Sequence, residues 1–203
     1  MKLAVCIPVG TPFTTVEWAW SIRQLQVPNA EWFFNRSHEP IDHVRENMAE
    51  EALEIDPDYL FFLDSDVILP ANALKVMLRH RQPVVSALYP DKSERWNAWV
   101  EKDGDIVNIK ELTDPRGRLL TVDYTGFGCM LIDARVFERL SKPWFEYEYD
   151  RRKNPDGFSE DQYFCNKVQK ELGFKVILDG RVLCRHCWTG ALEGPKSVTQ
   201  LGV

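Results

Sequence analysis

The chain has 203 residues, 44% hydrophobic and 28% charged, the proportions of an ordinary globular protein that fits in one domain. A net charge of −6, from 25 Lys+Arg against 31 Asp+Glu, argues against a nucleic-acid groove, which needs a basic face. No run of 18 apolar residues occurs, so no membrane span is expected, and five scattered cysteines suit a reducing cytoplasm better than a disulfide framework.

The opening "MKLAVCIPVG" reaches Pro8 and Gly10 too early for a signal peptide and reads as a first core strand running into a loop. "TTVEWAWSIRQLQ" has helical spacing behind a Thr cap, and "AEWFFNRS" reads as a second strand. "IDHVRENMAEEALEI" predicts a helix with Val44, Met48, Ala52 and Ile55 on one face, stopped by Asp56-Pro57. "YLFFLDSDVIL" is a buried strand that runs into two carboxylates. "PANALKVMLRHR" predicts a helix with Pro70 in its opening turn, and "PVVSALYP" a further strand. The second half is more mixed: "DIVNIKEL", then "LLTVDYTGFGCMLIDARVFERL", then an aromatic polar stretch. It ends in "SEDQYFCNKVQKELGFKVILD", a helix that stops at Gly173 and leads into a strand. Alternating β and α elements predict a single α/β domain with a mostly parallel central sheet flanked by helices, Phe61–Leu63 lying centrally in it.

Asp64 and Asp66 sit at the carboxyl end of that strand, where open α/β sheets bind ligands. Residues two apart on a strand face one side, so the two carboxylates are expected to share a crevice, with Ser65 turned away or bonded through its backbone. Such a pair repels unless a divalent cation stands between them; oxygen ligands suit Mg²⁺ or Mn²⁺, which share their coordination with phosphates. The plain alternative is a pair of turn or capping aspartates before "LPANAL". Glu160 and Asp161 follow Ser159, a fitting N-cap. Carboxylates there complement the helix dipole, and a base fixed in that position could also take a hydroxyl proton.

Arg45, read from its own helix, is a surface residue paired with Asp42 or Glu46. The Cys184–Cys187 pair around His186 lacks the four ligands of a closed zinc site and reads as packing. "KPWFEYEYDRRKNPDG", residues 142–157, has no regular period. Arg151, Arg152 and Lys153 could close over phosphates there, and Trp144, Phe145 and Tyr147 could meet an acceptor. Tyr89, Trp96 and Trp99 are alternative sugar-stacking residues.

"FLDSDVILPANALKVM" resembles the Asp-x-Asp segment of glycosyltransferases with the GT-A fold, especially the family-2-like group. "VRENMAEEAL" is similar to their Arg-Asn helix start, "TGFGCMLIDARVFERL" to their Gly-rich strand, "SEDQYFCNKV" to their Glu-Asp helix start and "VLCRHCW" to their downstream histidine. The resemblance covers about residues 1–190 and implies a GT-A, Rossmann-like fold over 1–203, with a nucleotide-binding half (1–90) and an acceptor-binding half (91–203). It implies Mn²⁺ or Mg²⁺ on Asp64, Asp66 and His186, and a UDP- or GDP-sugar donor contacted by Pro8, Thr11, Arg45, Asp64, Ser65 and Gly128. Asp161 would be the base of an inverting transfer to a hydroxyl acceptor, with Glu160 positioning that acceptor. The chain departs from the group in the spacing of Arg45 and Asn47 and in lacking an acidic pair after the second strand, which bears on the nucleobase contacts. A retaining transferase, a haloacid-dehalogenase-like phosphohydrolase and a non-catalytic nucleotide-sugar binder stay open as alternatives.

Overall fold

In a computed structural model of the chain, the described residues are 1–11, 13–27, 29–37, 39–148 and 157–187. β3 (Tyr59–Leu63) lies inside a seven-stranded sheet between β1 (Leu3–Pro8) and β10 (Cys129–Asp133). Beyond β1 stands β2 (Ala30–Asn35); beyond β10 stand β5 (Val84–Leu88), β11 (Val176–Leu183) and β8 (Leu119–Val122). β2, β1, β3, β5 and β11 run one way, while β10 and β8 run against them. The sheet is thus mostly parallel, as the alternation of elements predicts, with an antiparallel strand inserted beside the central one.

The two-residue side-chain period divides the core between the faces of the sheet. Ala4, Cys6, Leu60, Phe62, Met130 and Ile132 join the helices α2 (Ile41–Leu53), α4 (Ala134–Arg139) and α5 (Glu160–Leu172) on one face. Leu3, Val5, Ile7, Phe61, Leu63 and Leu131 join α1 (Val16–Gln24) and α3 (Ala73–Leu78) on the other. Helix ends follow local chemistry. Thr15 Oγ1 accepts from the Trp18 amide at 3.1 Å to start α1, and Gly173, at φ 71°, closes α5 in the left-handed conformation that glycine tolerates. α3 begins later than expected, because Pro70 sits in a preceding turn in which its carbonyl accepts from the Ala73 amide at 2.9 Å.

On the α2/α4/α5 face the core is aromatic. Phe127 meets Phe62, Phe145 and Phe164 edge-on at 5.4, 5.1 and 5.0 Å, and Phe145 stacks on Phe164 at 5.2 Å. Trp144 and Phe145, expected as acceptor contacts, are buried core residues whose amides are both held by Glu46 Oε2 of α2 at 2.8 and 3.0 Å; neither ring stands free on the surface, though Phe145 borders a concavity beside α2. This cluster seats α5 and with it the start of that helix.

Two short sheets complete the fold. β4 (Val67–Ile68) pairs antiparallel with β12 (Arg185–His186), and β6 (Ala98–Lys102) lies between β7 (Asp105–Asn108) and β9 (Tyr124–Thr125). Trp96 and Trp99, expected as sugar platforms, are half-buried against the aromatic core. β11 extends past the expected "KVILD" and shifts register after Asp179, where a Cβ on Gly180 would lie 1.8 Å from the Pro115 carbonyl oxygen. No helix among the described residues is long and apolar enough to cross a membrane.

Candidate functional site

β3 ends at Leu63, and Asp64, Ser65 and Asp66 form a turn closed by the Val67 amide on the Asp64 carbonyl at 3.1 Å. The strand rule that would put both carboxylates on one side therefore does not apply to this pair, and the two take different partners. Backbone contacts pin the turn: the Asp64 amide donates to Gly128 O (3.1 Å), Trp18 Nε1 to Asp64 O (3.0 Å) and Thr14 Oγ1 to Ser65 O (3.1 Å). Ser65 is bonded through its backbone, as expected.

On one flank Arg45, only 3% exposed, reaches up from α2. Its Nη2 lies 3.1 Å from Asp64 Oδ1, its Nε donates to Glu160 Oε1 at 3.3 Å, and its guanidinium carbon stands 5.2 Å from the Phe127 ring centre. It pairs with neither of its helix neighbours Asp42 and Glu46 but ties the turn to the start of α5. Burial opposes its charge, yet Asp64, Glu160 and Asp161 outweigh burial and raise its pKa. Nη1 is buried with no hydrogen-bond partner among the described residues.

Glu160 and Asp161 occupy the first turn of α5. Asp161 Oδ1 accepts from Ser159 Oγ and from the Gln162 amide (2.8 Å), while its Oδ2 lies toward Gly126. Burial raises the pKa of both carboxyls. Asp161 adds to the rise at Glu160, and Arg45 restrains both. Tyr89 completes this flank. It is buried, so it is no sugar platform, and its hydroxyl accepts from the Gly128 amide at 2.8 Å. Burial, Asp64 and Asp161 keep its phenol protonated. A Cβ on Gly126 would come within 2.5 Å of that hydroxyl and one on Gly128 within 2.7 Å, so the "TGFG" glycines admit the Tyr89 ring.

On the other flank, Asp66 Oδ2 lies 3.2 Å from His186 Nε2 and 3.6 Å from Lys92 Nζ. His186 Nδ1 stands 2.9 Å from the Pro90 carbonyl, which only accepts, so Nδ1 carries a proton. Nε2 then faces the carboxylate either as an imidazolium N–H or as a lone pair. Burial works against both charges, but each lowers the cost of the other: His186 and Lys92 depress Asp66, and Asp66 raises His186.

An octahedral shell of about 2.1 Å radius sets neighbouring ligands about 3.0 Å apart, close to this Asp66–His186 separation. A carboxylate oxygen and an imidazole lone pair so placed fit two positions of an Mn²⁺ or Mg²⁺ ion, the remainder falling to phosphate and water. Asp64 is not part of that pair, though 29% of its side chain stays accessible beside Arg45. No three His, Cys, Asp or Glu side chains among the described residues converge as a metal cluster.

Of the remaining expected contacts, Pro8 is buried at the end of β1, Thr11 is exposed with its hydroxyl on Phe13 O (2.6 Å), and Gly128 is buried beneath Asp64. Arg151, Arg152 and Lys153 lie outside the described residues. Cys184 is packed in the core, and Cys187 holds the turn through its amide on Asp66 O at 2.7 Å. Sequence reasoning missed that Arg45 bridges the turn to α5 and that Tyr89 is the polar centre of the glycine strand. Only the two closely spaced glycines hinted that something approaches the backbone there.

No protein-family model and no curated protein sequence matches the chain. Among solved structures, A197 from STIV superposes with a TM-score of 0.65 at 18% identity, covering 93% of this chain and 86% of that one. GalNAc-T7, determined with UDP, GalNAc and Mn²⁺, superposes with a TM-score of 0.54 at 14% identity over 92% of this chain; the match spans 44% of GalNAc-T7. At these identities the likeness is one of fold: a single-domain α/β architecture consistent with the GT-A fold.

Proposed function

We propose that the protein is a metal-dependent glycosyltransferase that moves a sugar from a nucleoside-diphosphate donor to a hydroxyl. The observation that carries this reading is the division of one turn between two chemistries: an Asp66–His186 pair suited to a cation, and an Arg45–Glu160–Asp161 cluster joined to the turn through the Arg45–Asp64 ion pair. Asp66 and His186 would hold Mn²⁺ or Mg²⁺, while Asp64 stays paired with Arg45. The ion, when bound, neutralises charge that grows on the departing diphosphate.

Asp161 would accept the acceptor's proton at Oδ2, since Oδ1 is occupied by Ser159 and the Gln162 amide. Its raised pKa suits a general base better than that of a solvated aspartate. Glu160, fixed by Arg45, would orient the incoming hydroxyl. The cation bound by GalNAc-T7 and its UDP ligand favour this reading over the phosphohydrolase, for which Asp64 would have to act as nucleophile while paired with Arg45. The test is to incubate the protein with UDP- and GDP-sugars and a hydroxyl-rich acceptor pool, with Mn²⁺ or with chelator, and to measure nucleotide release. Release from one donor class only with metal is expected. Metal-dependent hydrolysis of simple phosphate esters with no nucleotide requirement would replace this reading with the phosphohydrolase.

A further inference from the structure

Away from the turn, the first half of α2 and residues 143–146 enclose a concavity walled by Pro143 and Phe145 and lined by Glu39, Asp42, His43, Glu46, Asn47 and Glu146, an excess of carboxylates over the single imidazole. No Lys or Arg is among its lining residues, and the nearby Lys142 is committed to Glu50 and to the face of Trp144. Acidic residues at the start of a helix are ordinarily explained by the helix dipole. That explanation covers Glu39 and Asp42 as charges, but it does not require either to be buried.

Asp42 is buried to more than nine-tenths. Its Oδ2 accepts from the Tyr147 amide at 3.1 Å, and its Oδ1 has no hydrogen-bond partner among the described residues. Glu46, half-buried beside it, spends Oε2 on the amides of Trp144 and Phe145. A buried carboxylate oxygen left unpaired costs free energy that a bound donor returns. Glu39, Glu146 and His43 also line the concavity, but no three His, Cys, Asp or Glu side chains among the described residues are grouped so as to hold a metal ion. An organic cation suits the site better: its N–H groups can meet Asp42 and Glu46 while its methylenes lie on Pro143 and Phe145.

We propose that this concavity is a subsite for an alkylammonium or alkylguanidinium group. α2 follows β2 and runs back along the sheet, so its amino end lies at the edge where β3 delivers Asp64, and Arg45 is one turn of α2 beyond Asp42. The subsite thus selects an acceptor that carries a positive group near its hydroxyl. That assignment to the acceptor rests on the glycosyltransferase reading; the cation binding itself does not.

The test is titration of the full chain with agmatine, and separately with neutral butylurea, at constant ionic strength, followed by ¹⁵N–¹H NMR at the Phe145 and Tyr147 amides. Saturable agmatine shifts at these amides are expected, weakened about tenfold or more for butylurea and in Asp42→Asn. Equal shifts from both probes, shifts spread evenly over the acidic surface, or no shift at all would overturn the proposal. The comparison of two probes on the unmodified protein stands even if Asp42→Asn fails to fold. Agmatine binding without any nucleotide-sugar turnover would retain the subsite and remove only its assignment to an acceptor.

Discussion

Replacing Arg45 with methionine tests the bridge on which the site geometry depends. The substitution keeps an unbranched side chain against Phe127 but leaves Asp64 and Glu160 without their shared guanidinium. Breaking a buried ion pair by removing one partner costs about 3–5 kcal/mol, because the other charge stays desolvated. For a domain of this size each kcal/mol lowers Tm by roughly 2–4 °C, so a fall of about 6–20 °C is expected at neutral pH. The pH dependence is the sharper signature. Glu160 and Asp161 already have raised pKa values through burial, so between the unfolded and folded values the native state binds more protons. Stability from these groups therefore rises as pH falls from the folded pKa toward the unfolded one. Without Arg45 the folded pKa of Glu160 rises further, and the gap between variant and parent should narrow from pH 7.5 to pH 5. Thermal denaturation at both pH values measures this. A fall of less than about 2 °C, or a gap that does not change with pH, would refute the bridge.

Gly128→Ala should lower stability by about 1–3 kcal/mol in denaturant titration, since its Cβ would meet Tyr89 Oη, Cζ and Val67 Cγ2 at 2.7–2.9 Å in a buried setting. Asp179, fully buried in β11, accepts from Arg181 Nε (2.8 Å) and Nη2 (2.7 Å) and lies 2.6 Å from His80 Nε2. Burial pushes its pKa up, but Arg181 and His80 outweigh that and hold it below the usual range. Its contribution is present above the unfolded pKa and lost as pH falls through the folded one, so Asp179→Ala should cost about 2 kcal/mol at pH 7 and much less under acid denaturation. Asp161→Asn should retain nucleotide binding in calorimetry and lose roughly 10²–10⁴-fold in turnover.

The sheet was legible because its strands are short, apolar and separated by amphipathic helices: Phe61–Leu63, apolar on both faces, had only a central position open to it. The antiparallel insertion of β10 was not legible, since Cys129–Asp133 is as apolar as a parallel strand and nothing local encodes which neighbour it chooses. At the site, Asp64, Asp66, Glu160 and Asp161 were singled out from local pattern and His186 only through the family resemblance, and each lies on the turn, at the start of α5 or beside Asp66. Their partners were not, because pairing across the fold depends on how helices dock. Arg45 is 115 residues from Glu160, and its own helix offered Asp42 or Glu46 as nearer partners. Trp144 and Phe145 misled for a related reason: their stretch lacks a period, yet the Glu46 carboxylate ties their backbone down and turns both rings inward.

Titration of Mn²⁺ by electron paramagnetic resonance, with UDP or GDP present or absent, reaches the proposed cation pair without any knowledge of the acceptor. Binding that tightens with one nucleoside diphosphate and disappears in both Asp66→Ala and His186→Ala is the expected outcome. Mn²⁺ uptake unchanged in those two variants, or indifferent to every nucleotide, would contradict it.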